Sequence, residues 1–341
     1  MTSILTFEQR KRAFSTLGHY LAEPDETLRL LINSAHYTNA WFTPAEVQRA
    51  VLGISTMLNE RDLEKWLDFN LSEKSSKIIG LVLAGNIPLV GFHDILAVLA
   101  TGNTALIKLS SQDNKLIPHI LERLVKIEPD FAKHIRYTEK LEGFDAVIAT
   151  GSNNTSRYFE HYFGRFPHII RKNRNSIAVL SGSENEDELK LLGNDIFDYF
   201  GLGCRNVSKL FVPENYDFKP FFEAIEAFQP VINHHKYSNN YDYNKSIYLV
   251  NGDKHLDNGF LLVKEDERLA SPLSVIFYET YHDSSFIEQR LQHDSSLIQC
   301  IVSGLDLNVT NQLVRFGQSQ SPRLWDYADG INTLDFLLSL E

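Results

Sequence analysis

The rhythm of apolar positions changes near residue 77, and that change divides the chain. Before it, apolar side chains recur three and four apart, as at Val47, Val51, Ile54 and Leu58. They follow Thr43-Pro44-Ala45-Glu46, which offers a capping hydroxyl, a proline for the first turn and a carboxylate three residues after the cap. A helix is therefore predicted from Pro44. Leu63, Trp66 and Leu67 extend the pattern into a following short helix. From Lys77 the apolar residues come in short unbroken runs: 77–85, 104–110, 145–150 and 176–182. Runs of this kind suit strands buried on both faces. Between them, 90–100, 116–127 and about 154–163 read as helices. Strands alternating with helices of this length imply right-handed crossovers and a parallel sheet, with ligands collecting at the carboxyl ends of its strands.

A helix over 186–200 precedes a second α/β stretch. Its predicted strands are SKLFVP, KSIYLVN, GFLLVKE, LSVIFYE and LIQCIVSG, and a last helix is predicted over 333–340. The pattern divides the chain into a helical segment plus dinucleotide-binding domain (1–185), a cysteine-bearing domain (186–310) and a C-terminal segment (311–341) free to return to the first domain. No internal repeat, low-complexity tract or long charged linker interrupts it.

Composition adds limits. Hydrophobic residues at 43% and charged residues at 23% are ordinary for a globular protein, and 341 residues suffice for about two domains. A net charge of −11 argues against a surface that binds a phosphate backbone, so no nucleic-acid partner is expected. It leaves room for a local basic pocket. The amino terminus lacks a long apolar core, and no run of about 18 apolar residues occurs, so neither a secretory signal nor a membrane span is expected. With only two cysteines, a disulfide framework is not expected either, and the reading is cytoplasmic.

In that setting Cys204 stands out. It lies in FGLGCRNVSKLFVP, bracketed by Gly201 and Gly203, which let backbone approach a thiol closely. Arg205 beside it would favour thiolate, the form that attacks carbonyl carbon. Taken alone, this context leaves Cys204 open between nucleophile and small buried hydrophobe. Cys300 alternates with apolar neighbours and reads as a core strand residue. His234-His235 lacks partners at ligand spacing and reads as a polar loop rather than a metal pair. His93 reads as a helix-surface residue with a titration range suited to proton donation. No metal site is expected.

Four segments in order, AGNIPLVGFHDILAVLATGNTALIKLS, ATGSNNTSRYF, RKNRNSIAVLSG and FGLGCRNVSKLFVP, resemble the aldehyde dehydrogenase superfamily. Within it they are similar to the acyl-CoA reductase branch typified by the fatty-acid reductase of bacterial bioluminescence. The resemblance covers residues 77–280. It implies an α/β, aldehyde dehydrogenase-like fold of two doubly wound parallel-sheet domains with a helical N-terminal segment. Cys204 is then the nucleophile, and the Asn86 amide with the Cys204 N–H forms an oxyanion hole. On its own, Gly85-Asn86-Ile87-Pro88 is also ordinary turn chemistry. Lys108 and Ser110 match positions along the adenosine ribose. Ser111 falls where many NAD-preferring relatives carry glutamate; a carboxylate would repel a 2′-phosphate and a serine would not, so NADP(H) is favoured over NAD(H). Gly151 and Ser152 match a pyrophosphate-binding turn at a helix amino terminus, although Ser152 is equally a plain N-cap. Glu267 is one residue from the place of a nicotinamide-ribose glutamate, where Arg268 stands instead.

Hydrolytic relatives carry a glutamate base about thirty residues before the nucleophile. The matching stretch here, PHIIRKNRNS, has Ile170, Arg171 or Lys172 and no carboxylate. Without a base for water, thioester hydrolysis should be slow, and hydride delivery onto a thioester is the better match. The expectation is NADPH-dependent reduction of an acyl-CoA, with CoA entering as part of the substrate, to an aldehyde through a cysteine acyl-enzyme. The alternatives are a thiol acyltransferase subunit, a non-redox acyl-binding protein of the same fold, or an acyl-phosphate reductase. A homodimer or an acyl-transfer partner protein is compatible with the resemblance.

Overall fold

The computed structural model describes residues 5–69, 76–151 and 153–340. Its contacts divide the chain into two compact units, residues 1–173 with 322–341 and residues 174–321.

The first unit opens with α1 (Phe7–Ala22), α2 (Glu26–Ser34), α3 (Pro44–Met57) and α4 (Glu60–Trp66). Each starts on a side chain that accepts an otherwise unpaired N–H: Thr6, Asp25, Thr43 and Asn59 respectively. At Thr6 the bond is reciprocated by the Gln9 side chain. Val47, Val51 and Ile54 of α3 are buried, as their spacing predicts.

There follow β1 (Ile78–Val82), α5 (Phe92–Ala100), β2 (Thr104–Lys108), α6 (Leu116–Ile127), β3 (Ile135–Tyr137), β4 (Ala146–Thr150), α7 (Asn153–Phe163) and β5 (His168–Arg171). The strands form one sheet in the order β3-β2-β1-β4-β5, parallel throughout. Strand order reverses between β1 and β4, so the loops after those strands diverge and open a crevice at the carboxyl edge. Strands β3 and β5 are too short and too flanked by charge to stand out from the sequence.

The second unit contains β6 (Asn175–Val179), α8 (Glu186–Phe197), β7 (Val207–Pro213), α9 (Lys219–Ala224), α10 (His235–Asn251), β8 (Leu256–Asp257), β9 (Leu262–Glu265), β10 (Val275–Tyr281), α11 (Ser284–His293), β11 (Ile298–Ser303) and β12 (Gln312–Val314). Its sheet runs β12-β11-β6-β7-β10-β9-β8, parallel except for β8 against β9. Cys300 is fully buried on β11.

Three readings of the sequence are corrected here. The strand at Asn175–Val179 pairs with β7 and β11, so it opens the second unit, and the boundary falls at 173/174 rather than 185/186. Lys245–Asn251 is not a strand; it is the end of α10, whose buried face is Tyr237, Tyr241, Asn244 and Tyr248 at helical spacing. His234 is not in a polar loop but precedes α10 and lies against Phe200, ring centroids 4.4 Å apart.

The chain re-enters the first unit at Pro322 and ends in α12 (Thr333–Leu338). This return is fastened by a buried ion pair. Arg171 Nη2 lies 2.6 Å from Asp94 Oδ1 and also donates to Thr333 Oγ1 at 3.0 Å, while Nη1 donates to the Ala328 carbonyl at 2.7 Å. His93 Nε2 is 2.9 Å from the Leu324 carbonyl, and its ring packs beside Trp66 and Tyr327. Burial pushes the His93 pKa down. Its role is to seat this segment, not to face solvent on a helix surface.

Candidate active site

In the first unit the residues singled out from sequence gather on the carboxyl edge of the sheet. Asn86 is exposed in the loop between β1 and α5. Lys108, exposed, ends β2; Ser110 and Ser111 follow it, Ser110 half-buried and Ser111 exposed. Gly151 follows β4 immediately before α7. Ser152 lies outside the described residues.

Glycine is required at two of these places by space. A Cβ on Gly85 would overlap the Ser110 hydroxyl and come within 2.9 Å of Gln112 Cβ, so the loops after β1 and β2 touch there. A Cβ on Gly151 would come within 2.8 Å of the Phe159 ring and 3.0 Å of Thr155 Cβ, both on α7. The β4–α7 turn is thereby held tight against its helix. A crevice at the strand-order reversal, a glycine turn leading into a helix of 11 residues, and a lysine with two hydroxyls beside it suit a dinucleotide. No carboxylate stands at Ser111 to oppose a 2′-phosphate. The residues present therefore fit a nicotinamide cofactor.

The stretch in which hydrolytic relatives carry a base is occupied differently. Arg171 is committed to Asp94 and the C-terminal segment, as above, and Lys172 pairs with Glu160 at 2.8 Å on the surface.

Cys204 belongs to the second unit, half-buried in the turn between α8 and β7. This turn is built from three consecutive residues at positive φ: Tyr199 at 54°, Phe200 at 57° and Gly201 at 79°. Only the glycine adopts that region without cost; a tyrosine and a phenylalanine there store of the order of 1–3 kcal/mol each, so the surroundings must impose the shape. Asn206 imposes much of it. Its Nδ2 donates to the Asp198 carbonyl at 2.8 Å and to the Asp195 carbonyl at 3.2 Å, closing the end of α8, while its Oδ1 accepts the Gly203 N–H at 2.8 Å. Ser176 Oγ donates to the Cys204 carbonyl at 3.0 Å and accepts the Cys300 N–H at 3.2 Å, tying the cysteine to β6 and β11. Asp195 accepts the N–H groups of Gly317 and Ser319 at 2.6 and 2.9 Å, and its burial raises its pKa.

Arg205 departs from expectation. Its guanidinium donates to the Ser319 carbonyl and to Gln312 Oε1, the latter at 2.7 Å. It fastens the loop before residue 321 and so is not the dedicated thiolate partner that its sequence position implies. Glu267 is exposed, with its carbonyl held by Arg290 Nη2 at 3.1 Å. Neighbouring Arg268 is turned onto Asp266, with contacts of 2.8 and 2.6 Å, and this ion pair holds the Asp266 carboxyl far below the usual range.

Asn206, Ser176 and Asp195 escape a reading of sequence. Each is a polar residue with no sequence pattern that marks it, and only the fold shows which carbonyls and N–H groups it must satisfy.

A sequence profile described as Acyl-CoA reductase (LuxC) matches residues 6–215, a span that includes both Asn86 and Cys204. The chain belongs to the acyl-CoA reductase (LuxC) family. No curated protein sequence matches it. Among solved structures, this LuxC-family chain is similar to aldehyde dehydrogenase 21 from Physcomitrella patens. The two are 14% identical with a TM-score of 0.68, over 99% of this chain and 85% of that one. An NAD-dependent aldehyde dehydrogenase from Sinorhizobium meliloti gives 0.68 at 9% identity, over 91% and 74% of the two chains. An NADP-dependent enzyme from E. coli gives 0.64 at 13% identity, over 92% and 78%. At these identities the likeness is one of fold: the LuxC-family chain has the aldehyde dehydrogenase fold.

Proposed function

We propose that this protein reduces an acyl-CoA thioester to an aldehyde through an acyl-enzyme on Cys204. The observation that carries the reading is the cysteine turn itself, a half-buried thiol just after a costly left-handed backbone at residues 199–201, within the span matched by the acyl-CoA reductase family.

The Cys204 thiolate attacks the thioester carbonyl, forming a carbon–sulfur bond while the carbonyl π pair moves to oxygen. The Asn86 amide and the Cys204 N–H stabilise that oxyanion. As the carbonyl reforms, the bond to CoA breaks, and CoA leaves as a thiolate that takes a proton from water. When bound, a nicotinamide supplies the two electrons and hydrogen that the acyl carbon needs. The same donor pair stabilises the second oxyanion, which collapses to aldehyde and returns the thiolate to Cys204. Lys108, Ser110, Ser111, Gly151 and Ser152 would hold the cofactor, with Glu267 as a further contact. Ser111 in place of a carboxylate supports NADP(H) over NAD(H). The absence of a carboxylate at Ile170, Arg171 and Lys172 supports reduction over hydrolysis.

The test is turnover. With NADPH and a panel from butanoyl- to hexadecanoyl-CoA, the protein is expected to consume NADPH and release CoA and aldehyde in equal amounts, and Cys204→Ala to do neither. Release of free acid without NADPH consumption would refute the reading. Acyl-CoA binding with neither outcome would point to an acyl carrier.

A further inference from the structure

The loop that carries Asn86 is held from two sides by buried side chains far from it in sequence. Asn39, between α2 and α3 and 4% exposed, donates from Nδ2 to the Gly85 carbonyl at 3.3 Å. Its own orientation is set locally, since its Oδ1 accepts the Trp41 N–H at 3.1 Å. On the other side is Asp113, 5% exposed, in the loop between β2 and α6. Its Oδ2 accepts the Leu89 N–H at 2.8 Å. Leu89 has φ of 60°, a conformation a leucine keeps only when its surroundings hold it there.

Asp113 is a costly residue for this position. Its Oδ1 is buried with no hydrogen-bond partner among the described residues, and burial pushes its pKa up to about 6 despite the Leu89 N–H bond that pulls it down. The bond to Leu89 is what the carboxyl adds. Asn39 and Asp113 thus grip residues 85 and 89, one on each side of Asn86, and the two grips use opposite backbone groups, a carbonyl and an N–H.

We propose that Asn39 and Asp113 are positioning residues that fix the Gly85–Leu89 turn, and through it aim the Asn86 amide for the acylation step. The inference rests on the role given to Asn86 above. Neither residue touches the substrate. Each acts by removing freedom from the loop, so its loss should lower the rate of acylation more than the affinity for acyl-CoA.

The experiment follows acyl-enzyme formation by quenched-flow intact mass, without NADPH, on the full chain with the acyl-CoA panel above. Asn39→Ala and Asp113→Ala are expected to slow acylation at saturating acyl-CoA by about tenfold or more, with half-saturation moved by less than about twofold. Alkylation of Cys204 by iodoacetamide, which needs no oxyanion hole, is expected to be unchanged. Asp113→Asn, which keeps an acceptor oxygen for Leu89, is expected to recover most of the wild-type rate. Wild-type acylation in both alanine variants overturns the inference alone. So does a parallel fall in acylation, alkylation and melting temperature, because that marks general damage. If Asp113→Ala does not fold, Asn39→Ala decides by the same readouts. Failure of the wild-type chain to acylate overturns the reading of the site, and this inference with it.

Discussion

Asn86 and Cys204 sit in loops whose shapes cost energy, and the residues that meet that cost are separate from the two proposed to carry the chemistry. An amide aimed at a developing oxyanion is worth roughly 3–4 kcal/mol of barrier. Asn86→Ala is therefore expected to lower acyl-CoA turnover by about a hundredfold or more, with the Cys204 thiol still alkylated at the wild-type rate. Asp113 links this loop to pH. Its carboxyl titrates at about 6 when folded against an ordinary value of 3.8, so the folded state binds the extra proton. The stability that follows is fully present below pH 3.8 and is lost as pH rises through 6. At neutral pH the charged form costs up to about 3 kcal/mol at 1.36 kcal/mol per pH unit. Asp113→Asn should accordingly raise the melting temperature at pH 7 relative to wild type, with the gain shrinking toward pH 4. A gain that grows toward pH 4 would contradict the assignment.

At the scale of elements, the Arg171–Asp94 pair is the fastening that brings residues 322–341 back to the first sheet. Both partners are buried, so removing one leaves the other charged and uncompensated, at a cost of about 3–5 kcal/mol. Arg171→Ala is expected to lower stability by that amount and to release the C-terminal segment to limited proteolysis; equal protection in both proteins would sink the idea. Much at this scale is legible in the sequence. The helix over 116–127 and the runs that become β1, β2 and β4 announce themselves because each apolar side chain meets a neighbour of the same local period. The failures are local too. Lys245–Asn251 is rich in β-branched and aromatic residues and matches a strand by itself. Its helical period emerges only from Tyr237 onward, where the packing face is set. Arg205 adjoins Cys204 in sequence but is directed to Ser319 and Gln312, because adjacency does not fix where a long side chain points. Asn39, Asp113 and Asn206 have no periodic signature at all; their partners are backbone groups that only the fold brings near.

For the whole molecule, the first unit is assembled from two stretches of chain, and the unit that carries Cys204 lies between them in sequence. Net charge of −11 coexists with a lysine and two serines on the carboxyl edge of the first sheet, the residues proposed to set cofactor preference. Ser111→Glu is expected to weaken NADPH binding by tenfold or so while sparing NADH, read by nicotinamide fluorescence, since a carboxylate there would face the 2′-phosphate. Among the described residues no helix is long and apolar enough to cross a membrane. The proposed reaction turns on one sulfur atom, and intact mass reports on that atom without other chemistry intervening. Incubated with acyl-CoA and no NADPH, the wild-type protein should gain the mass of one acyl group and lose it when NADPH is added, and Cys204→Ala should gain nothing. Persistence of the adduct on Cys204→Ala would contradict the account.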